Sequence, residues 1–110
     1  ALAAQRPLTA DEAADRGAAL VRLGRPADAV AVLRPAARAS PDHFRTAANL
    51  GTAWQLAGDP DQAAAALAES VRLAPDRHRR AEEFHLKLVR LRLAEGRAAL
   101  RPTAPDDLFG

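Results

Sequence analysis

Two histidines and a glutamate share one face of a predicted helix, and their side chains are of the kind that binds metal ions. His78, Glu82 and His85 are spaced by four and three residues, so an α-helix places them on the same side. Imidazole and carboxylate groups are both zinc ligands in proteins. Three ligands on a single helix rarely converge on one ion, because seven residues of helix extend over about 10 Å. We therefore expect a solvated helix face with an ion pair, and no metal or other cofactor.

The sequence offers few candidate residues for nucleophilic catalysis. The chain has no cysteine, and its two serines, Ser40 and Ser70, fall at a predicted helix cap and at a helix packing position. A nucleophile needs a base within hydrogen-bond reach and usually a third group that orients the base. Neither serine lies near a strand-turn-helix elbow, and the sequence holds no glycine-rich phosphate loop. We predict that the chain is not an enzyme.

A basic run, Arg77-His78-Arg79-Arg80, raises the question of nucleic-acid binding, because clustered arginines make phosphate contacts. No aromatic residues are interleaved with these arginines to stack on bases. Asp76, Glu82 and Glu83 also neutralise part of the positive charge. The run is better explained as the charged first turn of an exposed helix, and we do not expect nucleic acid to be the partner.

The composition indicates which elements position these groups. Ala and Leu make up 44 of the 110 residues, Val numbers 5 and Ile is absent, a balance that favours α-helix over strand. Arg and Asp interrupt every apolar stretch, so no segment approaches the roughly 20 residues of a membrane span. Of the 16 cations 15 are Arg, a bias typical of a GC-rich genome. We expect a soluble, all-α piece of a larger bacterial protein, whose compartment the sequence does not indicate.

The chain repeats itself with a period of 34 residues. Aligning positions 10–43 with 44–77 gives 12 identities without a gap, and such a period is typical of stacked helical repeats. Alanine-rich sequences inflate identity counts, but two glycine pairs and two proline pairs also align. These pairs are Gly17 with Gly51, Gly24 with Gly58, Pro26 with Pro60 and Pro41 with Pro75.

Each repeat unit is predicted to form two helices. Thr9 and Glu12 have the spacing of a capping box, and a proline in the first turn followed by a glycine after the last turn is typical of helix ends. Short loops make consecutive helices antiparallel neighbours. The predicted helices run from Thr9 to about Leu23, from Pro26 toward Ala39, from Ser40-Pro41 to near Gly58, from Asp59-Pro60 to about Leu73, and from Pro75-Asp76 to Gly96.

The period, the two-helix unit and the marker residues resemble the tetratricopeptide repeat, whose pattern is W-x2-L-G-x2-Y, then A-x3-F, then P. The second unit carries Leu50-Gly51, Trp54, Ala63, Leu67 and Pro75 at these places. The resemblance implies antiparallel helix-turn-helix units stacked as a right-handed superhelix. The expected divisions are an N-terminal flank (1–8), a repeat domain (9–96) with units 10–43, 44–77 and a partial 78–96, and a C-terminal tail (97–110).

The resemblance also implies a function, which is to bind a peptide or protein segment on the concave surface lined by the first helix of each unit. The alternative is a structural or dimerisation segment that packs on its own chain or on a second copy. The expected partner-binding residues are Arg45, Asn49, Thr52, Gln55, Arg79, Leu86, Val89 and Arg90.

The predicted fifth helix carries two apolar stripes on different sides. We expect the stripe of Ala81, Phe84, Leu88 and Leu91 to pack on the fourth helix. The other stripe then faces the groove and needs a cover, since a bare stripe is atypical; it consists of Leu86, Val89 and Leu93. A second copy paired through the fifth helix is slightly favoured over the tail, whose candidate segments are 98–100 and Leu108-Phe109.

Overall fold

A computed structural model describes residues 6–100 of the chain, with the side chains of 6–98. Within this part all regular structure is helical, which confirms the all-α fold class. Each helix but the last ends within a few residues of the start of the next. The helices are α1 (Ala10–Arg22), α2 (Pro26–Ala39), α3 (Phe44–Leu56), α4 (Pro60–Leu73) and α5 (Asp76–Leu100).

The predicted helix caps at the starts of α1 and α4 are confirmed. Thr9 Oγ1 accepts a hydrogen bond from Glu12 N–H at 3.1 Å, and the Glu12 carboxylate accepts one from Thr9 N–H at 2.9 Å, which completes a capping box. Asp59 caps α4 by accepting a hydrogen bond from Gln62 N–H. Gly24 and Gly58 follow α1 and α3 with φ of 74° and 88°, a left-handed conformation that glycine adopts without a Cβ penalty.

Two helix ends differ from the sequence prediction. α3 begins at Phe44, because His43 and not Ser40 is its N-cap, with Nδ1 accepting a hydrogen bond from Thr46 N–H at 3.2 Å. The Ser40 carbonyl instead accepts from His43 N–H in the preceding turn. α5 does not stop at Gly96 but continues to Leu100. A glycine weakens a helix by only about 1 kcal/mol, so Gly96 alone does not end it.

Each complete unit is closed by a leucine that packs over a glycine. Leu33 and Leu67 are both 0% exposed. A Cβ placed on Gly17 would lie 2.5 Å from Leu33 Cγ, and one placed on Gly51 would lie 2.6 Å from Leu67 Cγ. The two helices of each unit therefore approach more closely than any side chain at the glycine would permit, which is the physical reason for the aligned glycine pair.

α5 turns a different face to α4 from the one that the 34-residue repeat predicts. Leu86 and Val89 have 7% and 1% exposure, and they pack in one cluster with Leu67. Phe84 and Leu91, which we expected against α4, are 62% and 55% exposed. The sequence prediction is wrong on this point. The stripe that stays exposed, called the α5 stripe below, consists of Ala81, Phe84, Leu88 and Leu91.

The rotation of α5 avoids the burial of two cations. Thr46 and Ala53 of α3 are both 0% exposed. A shift of 34 residues would put Arg80 and Lys87 at the corresponding places of α5, and burying an unpaired charge is costly. In the structure Val89, which follows Ala53 by 36 residues, takes the buried place, and both cations are exposed.

The stripe of Leu86, Val89 and Leu93 therefore needs no second copy to cover it. Leu86 and Val89 are buried against α4, and Leu93 packs on the same cluster. The alternative cover, the tail with Leu108 and Phe109, lies outside the described residues.

Arg6 and Thr9 hold Glu12 as a carboxylate at the start of α1. The Arg6 guanidinium donates to both carboxylate oxygens, at 2.7 and 2.8 Å. These hydrogen bonds, followed by that from the Thr9 backbone, lower the pKa of Glu12 from its usual 4.5 to about 2. The N-terminal segment is thereby tied to the first turn of the helix.

We expect this arrangement to make the stability of the fold depend on pH. Because the folded-state pKa of Glu12 is below that of the unfolded chain, its contribution is present above pH 4.5 and is lost as the pH falls toward 2. Urea unfolding of wild type and Glu12→Gln, at about pH 6 and about pH 3, measures it. The difference in unfolding free energy between the two proteins should shrink at the lower pH. Glu83→Gln is the exposed control, and an equal difference at both pH values would contradict the expectation.

Candidate interaction surface

α1, α3 and α5 run parallel to one another, because each is separated from the next by one antiparallel helix. Side chains link their neighbouring edges. Asn49 Nδ2 of α3 donates to the Ala14 carbonyl of α1 at 3.1 Å, and His85 Nε2 of α5 lies 2.5 Å from Gln55 Oε1 of α3. The exposed sides of these three helices are called the inner surface below.

An ion-pair cluster borders the inner surface near the start of α3. Arg45 pairs with Asp15 and lies 3.6 Å from Asp11. His43 Nε2 lies 2.8 Å from the same Asp11 carboxylate. The hydrogen bond that Arg45 donates to the Asp15 carboxylate raises the pKa of the guanidinium, which is therefore charged. These charges join α1 to α3 and leave the Arg45 side chain about half exposed.

A small cavity lies next to this cluster, between α1 and α3. Its volume is about 190 Å³. α1 contributes two apolar side chains and one arginine to its walls, and α3 contributes two polar side chains, a combination that suits a single side chain with mixed character. The lining residues are Ala18, Val21, Arg22, Asn49 and Thr52.

The four predicted binding residues of α3 all lie on the inner surface, and all four also bond to other residues of the protein itself. Arg45 and Asn49 bond to α1 as described above. Thr52 Oγ1 donates to the Ala48 carbonyl at 3.3 Å, and Gln55 pairs with His85. Arg45 and Asn49 thus also join α3 to α1, whereas the sequence suggested only a partner-binding role for them.

The four predicted binding residues of α5 are placed elsewhere. Leu86 and Val89 are buried against α4. Arg79 donates to the Ala74 carbonyl at 3.0 Å and pairs with Asp76 at 3.3 Å, so it closes the turn into α5. Arg90 is exposed, but it follows Leu86 by four residues and therefore lies on that side of the helix, away from the α5 stripe. These four residues lie away from their expected places because α5 is rotated relative to the orientation that the 34-residue repeat predicts.

The residues that take their place are those of the α5 stripe. His85, which contacts α3, lies four residues after Ala81 and three before Leu88, so the stripe borders the side of α5 next to α3 and continues the inner surface. Phe84, Leu88 and Leu91 are 62%, 39% and 55% exposed. The sequence does hold a signal for this assignment, because the 34-residue register requires Arg80 and Lys87 to be buried.

The three residues considered as metal ligands each have a different neighbour. His78 stacks on Phe44 with ring centroids 5.6 Å apart. Glu82 lies 3.1 Å from Ser70 Oγ, and His85 binds Gln55. No group of three His, Cys, Asp or Glu side chains within the described part of the chain is arranged to hold a metal ion. Ser70 of α4 is 0% exposed. Its hydroxyl lies 2.9 Å from the Leu67 carbonyl of the same helix, and its contact with Glu82 joins α4 to α5.

The basic run at the start of α5 is partly used in local contacts. Arg77 Nε lies 3.2 Å from His78 Nε2, and Arg79 bonds to the turn before the helix. Arg80 alone of the three arginines makes neither kind of contact within residues 6–98. The run therefore does not form an open row of cations.

None of the helices in residues 6–100 is long and apolar enough to cross a membrane.

Comparison with known proteins agrees with this architecture. A family model described as tetratricopeptide repeat matches residues 20–85, which is more than half of the chain. The match extends from the end of α1 into α5. A search of curated proteins finds no match. The paired antiparallel helices, the glycine-leucine packing of each unit and this match together show that the chain belongs to the tetratricopeptide repeat family.

Proposed function

We propose that this chain binds a segment of another protein on its inner surface. The observation that carries the proposal is that parallel helices bring a small cavity and large exposed apolar side chains to one side of the molecule. The cavity lies between α1 and α3, and Phe84 and Leu91 of α5 are more than half exposed. The Arg-rich composition further supports a place within a bacterial protein.

The family supports the same function. Tetratricopeptide repeats are a non-catalytic module that mediates protein–protein interaction. The chemistry of the inner surface fits such a role, because an interface combines an apolar core with a polar rim. Here the Arg45 ion-pair cluster is the polar part, and the α5 stripe is the apolar part.

A phage-displayed library of random peptides, selected against the wild-type protein, tests this function. Ala18→Glu and Thr52→Glu each place a carboxylate in the cavity between α1 and α3. Selected peptides should bind these variants about 10-fold or more weakly, since the carboxylate fills the space and must be desolvated. The matched control is Ala65→Glu, on an exposed part of α4 in the groove between α2 and α4.

Circular dichroism confirms that each variant is folded before binding is measured. Peptides that bind both cavity variants as well as wild type would contradict the proposal. So would peptides whose binding is lost only in Ala65→Glu, because the partner would then occupy the α2–α4 side.

A second candidate function is that of a structural segment packed on its own chain or on a second copy. A cavity of about 410 Å³ at the first unit favours it, because an apolar concavity of this size suits a covering element. Its lining residues are Pro7, Leu8, Ala13, Val32, Pro35, Ala36 and Ala39. Leu8→Asp would abolish such packing and leave peptide binding at the inner surface intact.

A further inference from the structure

The α5 stripe has the residue spacing of one side of a packed helix pair. Ala81, Phe84, Leu88 and Leu91 follow one another at three, four and three residues, which is the spacing of a and d positions in a coiled coil. The three large side chains are 62%, 39% and 55% exposed, and they form a ridge about 10 Å long. Glu95, one heptad after Leu88, ends the apolar part of the stripe.

The flanks of the α5 stripe are basic. In the same heptad Arg80 and Lys87 fall at g positions and Arg92 falls at an e position. All three are exposed, and none makes an ion pair with another residue of 6–98. The remaining e position between them is His85, which is bonded to Gln55. A partner along the stripe therefore meets three cations and no anion at its flanks.

These charges argue against a second copy of this chain as the partner. In a parallel pair, g positions of one helix face e positions of the other, so Arg80 and Lys87 would oppose His85 and Arg92. In an antiparallel pair, like positions face each other, so Arg80 and Lys87 would oppose themselves. Both arrangements bring like charges together, which destabilises the pair.

We infer that the α5 stripe binds an amphipathic α-helix of another protein, whose apolar side chains repeat at three and four residues and are flanked by Asp or Glu. A helix is favoured because its ridges match the three-four spacing of the stripe. Acidic flanks are favoured because they pair with Arg80, Lys87 and Arg92. The inference rests on the interaction function proposed above and adds the chemical class of the partner.

Two designed helical peptides test the inference. Both have three heptads with leucine at a and d, and they carry either glutamate or lysine at every e and g position, so each repels its own copies. Fluorescence anisotropy with labelled peptides measures binding to the wild-type protein at low and high salt. The glutamate peptide should bind about 10-fold or more tightly than the lysine peptide, and high salt should weaken it.

Variants assign the binding to the stripe. Leu88→Asp and Leu91→Asp should each weaken binding of the glutamate peptide about 10-fold or more. Lys87→Glu should reduce the difference in affinity between the glutamate and lysine peptides. Ala65→Asp on α4 is the control, and it should change neither the affinity of the glutamate peptide nor the difference in affinity between the two peptides. Circular dichroism of the mixture should show the peptide gaining helix, and the same glutamate peptide with a central proline should bind more weakly.

Any one of the following results would overturn the inference. The glutamate and lysine peptides could bind equally, or the glutamate peptide could be insensitive to Leu88→Asp. Sedimentation could instead show a dimer that Leu88→Asp dissociates, which would identify a second copy as the occupant. If library peptides bind the cavity between α1 and α3 while the glutamate helix does not bind, the proposed function stands and this inference fails.

Discussion

Replacing Gly51 with alanine is expected to destabilise the fold by about 1 to 3 kcal/mol, and replacing it with leucine is expected to cost more. The new Cβ would lie 2.6 Å from both Cγ and Cδ2 of Leu67. Leu67 is 0% exposed within the cluster that holds α4 and α5 together. Since Cγ is the branch point of the side chain, Leu67 has to shift as a whole, and the surrounding residues leave no space for this.

Urea unfolding followed by circular dichroism measures this effect, and the chain offers a matched control. Gly96 is also helical, but nothing lies within 4 Å of a Cβ placed there. Gly96→Ala should therefore leave stability unchanged or raise it by up to about 1 kcal/mol, because alanine favours helix over glycine. In a Leu67→Ala background the cost of Gly51→Ala should fall, which identifies the Cβ–Leu67 contact as its cause. Equal effects of Gly51→Ala and Gly96→Ala would contradict the close approach of α3 and α4.

Replacing Val89 with aspartate is expected to detach α5 from α4, at a cost of about 3 kcal/mol or more. Val89 is 1% exposed and packs with Ala63, Leu67 and Leu86. A carboxylate here would lie against the aliphatic side chains of Ala63, Leu67 and Leu86, which neither pair with a charge nor donate hydrogen bonds. The protein should lose helix content at a lower temperature than wild type, and limited proteolysis should cut within α5 first.

The matched control for Val89→Asp is Leu91→Asp, on the same helix two residues later. Leu91 is 55% exposed, so this change should alter the free energy of unfolding by about 0.5 kcal/mol or less. The 34-residue register predicts the reverse order for the two variants. If Leu91→Asp unfolded the protein and Val89→Asp did not, α5 would face α4 through the α5 stripe, and the inferred helix-binding surface would not exist.

The sequence by itself determined the helices and most of their ends, because those signals are local. The Thr9–Glu12 capping box, the proline at the start of α4 and the glycines after α1 and α3 act on backbone groups within a few residues. The repeat was equally visible, since Gly51 and Leu67 recur from Gly17 and Leu33 at a fixed distance. His43 was missed as a helix cap because the Ser40-Pro41 pair offered a stronger local pattern.

The candidate site was determined by sequence only in part. On α3 the expected positions do lie on the inner surface, but the sequence could not show that Asn49 bonds to the Ala14 carbonyl or that Arg45 pairs with Asp15. Those contacts join residues more than 30 positions apart, and they depend on how closely α1 and α3 approach. The cavity between the two helices follows from the same approach.

Only the tertiary structure decided which face of α5 is buried. Both of its apolar stripes repeat at helical spacing, so the pattern of hydrophobic residues allows either one to pack on α4. The choice depends on the residues that come with each stripe. If the stripe containing Phe84 packed on α4, Arg80 and Lys87 would occupy the places that correspond to two fully buried residues of α3, Thr46 and Ala53. If the stripe containing Val89 packs there, both cations stay in solvent. That cost of desolvation arises only when α5 packs against α4. Because it favours burial of the stripe containing Val89, the other stripe stays exposed, and the proposed partner would bind to its apolar side chains.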